Sequence, residues 1–79
     1  MSDTEEQIRK IKESAVASPF SDIKNSSIDT LAKYKEKGIT AITEIGDSSY
    51  SSEVKTHALD TIKKIKENTA SFDTYVAGD

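Results

Sequence analysis

The chain has 79 residues, of which 34% are apolar and 32% are charged, and it contains no cysteine. Its formal net charge of −3 does not favour a general affinity for nucleic acid phosphates, because that affinity depends on a basic surface. The lack of cysteine excludes disulfides and cysteine-ligated metal sites. A domain of this size buries only about 60% of the surface of its unfolded chain, so we expect marginal stability.

The sequence gives no sign of membrane insertion or secretion. No apolar run approaches the ~20 residues that a membrane span requires. The N-terminal stretch MSDTEEQIRK is polar and acidic, unlike a signal peptide. We therefore expect a cytoplasmic protein.

The first two predicted helices follow from apolar residues that recur at three- and four-residue spacing. The first helix spans about 4–17 and ends near Ser18, because Pro19 disfavours helical geometry in the residue before it. The second spans about 21–37. It ends at Gly38, for which we predict the left-handed conformation that is common after helix C-termini.

The third predicted helix is short, about 39–47. Its isoleucines, Ile39, Ile42 and Ile45, are β-branched and would also suit a buried strand. A spacing of three rather than two favours the helix.

The fourth helix is predicted over about 52–68, with Ser51 or Ser52 as its N-cap and Asn68 as its end. The tail, 69–79, has apolar residues at helical spacing. These are Phe72, Tyr75 and Val76. Two alternatives remain open for the tail: a frayed terminus, or a single helical turn that covers the apolar edge of the fourth helix.

An internal repeat relates the two long helices. Residues 21–37 (SDIKNSSIDTLAKYKEK) and 52–68 (SEVKTHALDTIKKIKEN) are offset by 31 and identical at 7 of 17 positions. The apolar positions also match in kind, and the same offset places Ile8 on Ile39. The repeated element is therefore a short helix followed by a longer one.

The predicted architecture is a single all-α domain, 1–79, built as two stacked antiparallel helical hairpins and a tail. We call residues 6–37 the first unit and residues 38–68 the second unit. Repeats of two helices and 20–50 residues are typical of α-solenoids, which normally need about three units to bury a continuous core. With only two units, the apolar surface at both ends of the stack is incompletely buried. The tail, self-association or a partner protein would each complete the stack.

Two stretches carry the pattern of a known repeat family: KGITAITEIGDSSYSSEVKTHALDTIKKI and, less clearly, IRKIKESAVASPFSDIKNSSIDTLAKY. Asp47 occupies the loop position, and Val54 with Lys55 matches the opening of the second helix. Over about residues 6–68 the chain thus resembles the HEAT-like, armadillo-like helical repeats. Thr40 departs from the pattern, since the first helix often has proline there. The resemblance implies an interaction scaffold and supplies no catalytic residue.

The resemblance also implies that the second helix of each unit lines the binding surface. The candidate protein-binding residues are the polar side chains on that surface: Ser26, Asp29, Lys33, His57, Asp60 and Lys64. Asp29 with Lys33, and Asp60 with Lys64, also form i, i+4 pairs that each stabilise a helix by about 0.2–0.5 kcal/mol. Helix stabilisation and partner binding are both adequate explanations for the repeated charges.

We therefore predict a non-enzymatic protein-binding or scaffold module that binds an unidentified protein or a second copy of itself. No cofactor, metal, nucleic acid or membrane is predicted as a ligand. One alternative is a small metal-binding or catalytic helical protein that uses His57 with Asp60, although a metal would need further ligands. A third is a nucleic-acid adaptor that uses the basic fourth helix, which Asp60 and Glu67 interrupt.

Overall fold

The computed structural model describes the backbone of residues 3–78 and the side chains of residues 3–68. The elements are α1 (Asp3–Ala17), α2 (Ser21–Ala32), a short 3-10 helix (Lys35–Gly38), α3 (Ile39–Asp47) and α4 (Ser52–Gly78). The predicted all-α fold with four α-helices is confirmed, and the described residues contain no strand. The bounds of α3 are those predicted from its isoleucines.

The helices enclose one small aliphatic core. Helix α1 packs against α2 and α3, and α4 packs against the same two helices. The buried apolar residues come from all four helices: Ala15, Ile28, Leu31, Ala41, Ile42, Ile45, Val54, Ala58 and Ile65. Burying one large aliphatic side chain contributes about 1.5–3 kcal/mol, so a core this small must be well packed to fold at all.

The predicted C-terminal end of the second helix is wrong. Helix α2 ends at Ala32 rather than at residue 37, and a turn and the 3-10 helix follow. The predicted order of a short helix followed by a longer one is therefore also wrong for the first unit, where α1 has 15 residues and α2 has 12. The left-handed residue is Lys35, with a φ of 58°, whereas Gly38 has a φ of −90°. Glycine is required at position 38 because a Cβ there would lie 2.4 Å from the carbonyl oxygen of Leu31. A close approach, not a special backbone angle, explains this glycine.

The fourth helix is longer than predicted, because it continues past Asn68 to Gly78. No glycine or proline lies between Asp47 and Ala77, and the other residues cost a helix less than about 1 kcal/mol each. The apolar side chains assigned to the tail lie outside the described residues. Ser51, one of the two predicted N-caps, accepts a hydrogen bond from the Val54 amide at 3.3 Å. No helix in the described part of the chain combines the length and apolarity needed to cross a membrane.

Two lysines bind the C-terminal end of the first helix of each unit, and sequence reasoning did not identify these contacts. Lys24 of α2 donates from Nζ to the carbonyl oxygen of Ala15, at the end of α1, at 2.9 Å. Lys55 of α4 donates to the carbonyl oxygen of Gly46, near the end of α3, at 3.2 Å. An ammonium group suits a helix C-terminus, where unpaired carbonyls carry a partial negative charge. In both cases donor and acceptor are nine residues apart.

Candidate functional site: the polar surface of α2 and α4

The six candidate binding residues lie on α2, at its C-terminal end, and on α4. We call Ser26, Asp29, Lys33, His57, Asp60 and Lys64 the α2–α4 polar surface. All are exposed except His57, which is half-buried. Their two carboxylates and two ammonium groups balance in charge, so the surface has mixed polarity rather than one dominant sign.

The structure brings Asp29 and His57 into direct contact. The Nε2 atom of His57 lies 2.7 Å from Oδ1 of Asp29, joining α4 to α2. An ionised carboxylate only accepts hydrogen bonds, so Nε2 carries the proton and donates it. The contact fixes the orientation of the imidazole ring on the exposed side of the helix pair.

Asp60 lies beside this pair, in a shallow groove along the exposed side of α4. The groove residues are Ser52, Glu53, Thr56, His57 and Asp60. The metal-binding or catalytic alternative pairs His57 with Asp60, but the hydrogen bond that the imidazole forms among the described residues goes to Asp29. His57 therefore connects the groove to α2.

The other three residues of the surface are not gathered at this point. Ser26 lies in a different groove, between α1 and α2, with Lys10, Ile11 and Ser14 among its neighbours. Lys33 follows the last residue of α2 and Lys64 lies on α4, and both are exposed. The hydrogen bond between His57 and Asp29, together with the groove that contains His57 and Asp60, gathers only these three of the six candidate residues.

The described residues do not form the intrahelical ion pairs that the sequence predicted. Within residues 3–68, no salt bridge joins Asp29 to Lys33 or Asp60 to Lys64. Lys33 lies where α2 gives way to a turn, and Asp29 is engaged by His57 instead. The 31-residue repeat could have predicted this contact. The counterpart of His57 on α2 is Ser26, and Asp29 follows Ser26 by three residues, about one helical turn. If counterpart positions of α2 and α4 lie side by side, Asp29 is therefore close to His57.

No group of three or more potential metal ligands of the His, Cys, Asp or Glu type occurs among the described residues. Glu53 lines the same groove as His57 and Asp60, and Asp29 contacts His57, yet these side chains do not come together as a group that could hold a metal. The geometry therefore gives no specific support to the metal-binding alternative.

Comparisons with known proteins give no family to which the chain can be assigned. No protein-family model, no curated protein and no solved structure matches it. The site is therefore interpreted from its own geometry.

Proposed function

We propose that the protein is a non-enzymatic interaction module of the HEAT-like, armadillo-like kind, which binds another protein through the α2–α4 polar surface. The observation that carries the proposal is the 2.7 Å hydrogen bond between His57 and Asp29. It links the second helices of both units and orients two polar side chains on an exposed surface. Side chains oriented before binding lose less conformational entropy when a partner arrives.

The chemistry of the groove indicates which partner groups it would accept. With Nε2 donating to Asp29, the Nδ1 atom of a neutral His57 is an acceptor. Glu53 and Asp60, which line the same groove, add carboxylate acceptors. A partner segment with N–H donors, such as lysine, arginine or backbone amides, complements this set.

The repeat interpretation draws support from the two lysines that bind helix ends. Two hydrogen bonds are related by the same 31-residue offset that relates α2 to α4. They join Lys24 to Ala15 and Lys55 to Gly46. Equivalent residues thus make equivalent contacts in both units, as a helical repeat requires. We also propose a cytoplasmic location, which fits the cysteine-free sequence.

The proposal is tested by affinity capture from native lysate, comparing the wild type with the double variant Asp29→Ala, Asp60→Ala. We expect a specific set of proteins to bind the wild type and to be lost from the variant. The matched control is Glu5→Ala, Glu13→Ala, which removes two exposed carboxylates from α1. It changes the net charge equally and leaves the α2–α4 polar surface intact, so binding should be retained.

Two results would contradict the proposal. Capture of the same proteins by the wild type and by the Asp29, Asp60 variant would place binding elsewhere. Absence of any captured protein would remove the basis for an interaction module. A melting temperature raised by a divalent metal in the wild type, and unchanged by metal in His57→Ala, would favour the metal-binding alternative instead.

A further inference from the structure

The free end of the second unit presents a partly apolar groove between α3 and α4, with a volume of about 140 Å³. We call this the α3–α4 groove. Its lining residues are Thr43, Gly46, Asp47, Lys55, Ala58, Leu59 and Ile62. Leu59 is 68% exposed there, which makes it one of the most exposed large apolar residues among residues 3–68.

The first unit contains the same surface, but there most of it is covered. Shifting the seven groove residues by 31 positions gives four buried residues, Ala15, Lys24, Ile28 and Leu31, and three that are not buried, Lys12, Val16 and Ser27. Helices α3 and α4 pack against α1 and α2 and cover this surface. Ile28, the counterpart of Leu59, is 0% exposed as a result.

We call the contact between the first and second units the junction. The residues that the second unit contributes to it also have counterparts in the first unit. Val54 of the second unit is 0% exposed, whereas its counterpart Ile23 in the first unit is 45% exposed. If Val54 were buried by its own helical hairpin alone, Ile23 would be buried as well. The difference shows that burial at this position depends on the neighbouring unit.

Each end of the chain therefore displays one half of a junction that the chain already forms internally. Inside the molecule, the positions of Ile28 and Val54 are both buried. At the ends, their counterparts Leu59 and Ile23 are both exposed. We propose that the protein self-associates head to tail, the α3–α4 groove of one copy receiving the α1–α2 end of a second copy. Ile28 and Val54 belong to the same core cluster, so repeating the internal junction places Leu59 of one copy and Ile23 of the other in the same contact.

Polar groups at the two ends are compatible with this contact. Internally, Asp29 accepts a hydrogen bond from His57. Across the proposed contact the corresponding residues are Asp60 and Ser26, whose hydroxyl is also a donor. One internal hydrogen bond is not repeated, because Lys24 donates to Ser48 of the second unit at 2.9 Å and the counterpart of Ser48 is Ala17, which has no hydroxyl group.

The contact between copies should be weaker than the junction inside the chain. The first unit has Lys10 and Ser14 where the second unit has the buried Ala41 and Ile45. A more polar surface buries less apolar area, so we expect reversible association rather than a permanent oligomer. Because a head-to-tail contact leaves an open half at each end, assembly can extend beyond the dimer.

Sedimentation equilibrium of the wild type and of two single variants tests the proposal, over protein concentrations from about 10 μM to about 1 mM. Leu59→Asn damages the groove end and Ile23→Asn damages the opposite end. Both positions are exposed, so both variants should fold, and Leu59→Ala and Ile23→Ala are milder substitutes. The average mass of the wild type should rise with concentration beyond that of a dimer, and each variant alone should remain monomeric.

An equimolar mixture of the two variants provides the sharpest check. Each variant keeps one undamaged end, so the mixture should form dimers that do not extend further. Tyr50→Ser, which removes a fully exposed aromatic residue from a loop, is the matched control and should associate like the wild type.

Three results would overturn the proposal. The first is a wild type that stays monomeric throughout the concentration range. The second is undiminished association of Ile23→Asn, which would indicate a symmetric contact between two grooves. The third is a loss of association in the Tyr50→Ser control equal to that in Leu59→Asn. Because Leu59 and Ile23 lie outside the α2–α4 polar surface, their variants should still capture partner proteins, which distinguishes failure of the head-to-tail contact from failure of the proposed function.

Discussion

In the first unit Ile28 and Lys24 are 0% and 4% exposed, whereas their counterparts in the second unit, Leu59 and Lys55, lie on the surface. The residue types are nearly the same, so the difference comes from position in the stack. Helices α3 and α4 cover the first unit, and the described part of the chain leaves the corresponding groove of the second unit open. A repeated sequence thus produces a buried core at one position and an exposed groove at the other.

The largest expected difference between the units is in core packing. Ile28→Ala should lower the free energy of unfolding by about 2–5 kcal/mol, because it leaves a cavity in the core. Leu59→Ala should change it by less than about 0.5 kcal/mol, because the side chain is exposed. Urea denaturation followed by circular dichroism, at low protein concentration, measures both.

If Ile28→Ala leaves too little folded protein to measure, Ile28→Val is the substitute, with an expected loss of about 0.5–1.5 kcal/mol. Similar losses for the two alanine variants would contradict the difference in burial between the units.

The two lysines provide a second, smaller comparison. Lys24→Met keeps the length of the side chain but removes the donor to the carbonyl oxygens of Ala15 and Val16 and to Ser48. The Ala15 carbonyl oxygen keeps the Ser18 amide as a donor, but losing hydrogen bonds from a charged donor at this buried site should still cost about 1–3 kcal/mol. Lys55→Met should cost at most about 0.5 kcal/mol, because water replaces the donor at an exposed site. Denaturation midpoints of the two variants should differ accordingly, and equal midpoints would show that Lys24 contributes no more than a surface lysine.

The contact between His57 and Asp29 should give the smallest effect. A double-mutant cycle with His57→Ala and Asp29→Ala is expected to give a coupling energy of about 0.2–1 kcal/mol, since the pair is exposed to solvent. The control cycle pairs His57→Ala with Asp60→Ala, and a larger coupling in that cycle would identify Asp60 as the partner of His57.

The all-α fold and the short α3 could be predicted because their apolar residues have a clear period. The end of α2 could not, because the turn and 3-10 helix after Ala32 bring Gly38 against the Leu31 carbonyl, a contact that apolar periodicity does not reveal. The end of α4 was missed because asparagine is only a weak stop signal in a sequence without nearby glycine or proline.

The candidate site was predicted in part. Asp29, His57 and Asp60 were identified from their repeated positions, but the sequence alone suggested Asp60 as the partner of the imidazole. The choice of Asp29 depends on how α2 and α4 lie beside each other, which no pattern along one helix reveals. The role of Lys24 was missed for a related reason, because its acceptors belong to other helices.

The most direct test of head-to-tail association through the α3–α4 groove is a series of ¹H–¹⁵N correlation spectra. They are recorded from about 10 μM to about 1 mM protein. Head-to-tail self-association predicts concentration-dependent shifts for Lys55, Leu59 and Ile62 at one end of the molecule. It predicts matching shifts for Ile11 and Ile23 at the other end. Spectra that do not change with concentration, or shifts confined to one of the two ends, would contradict it.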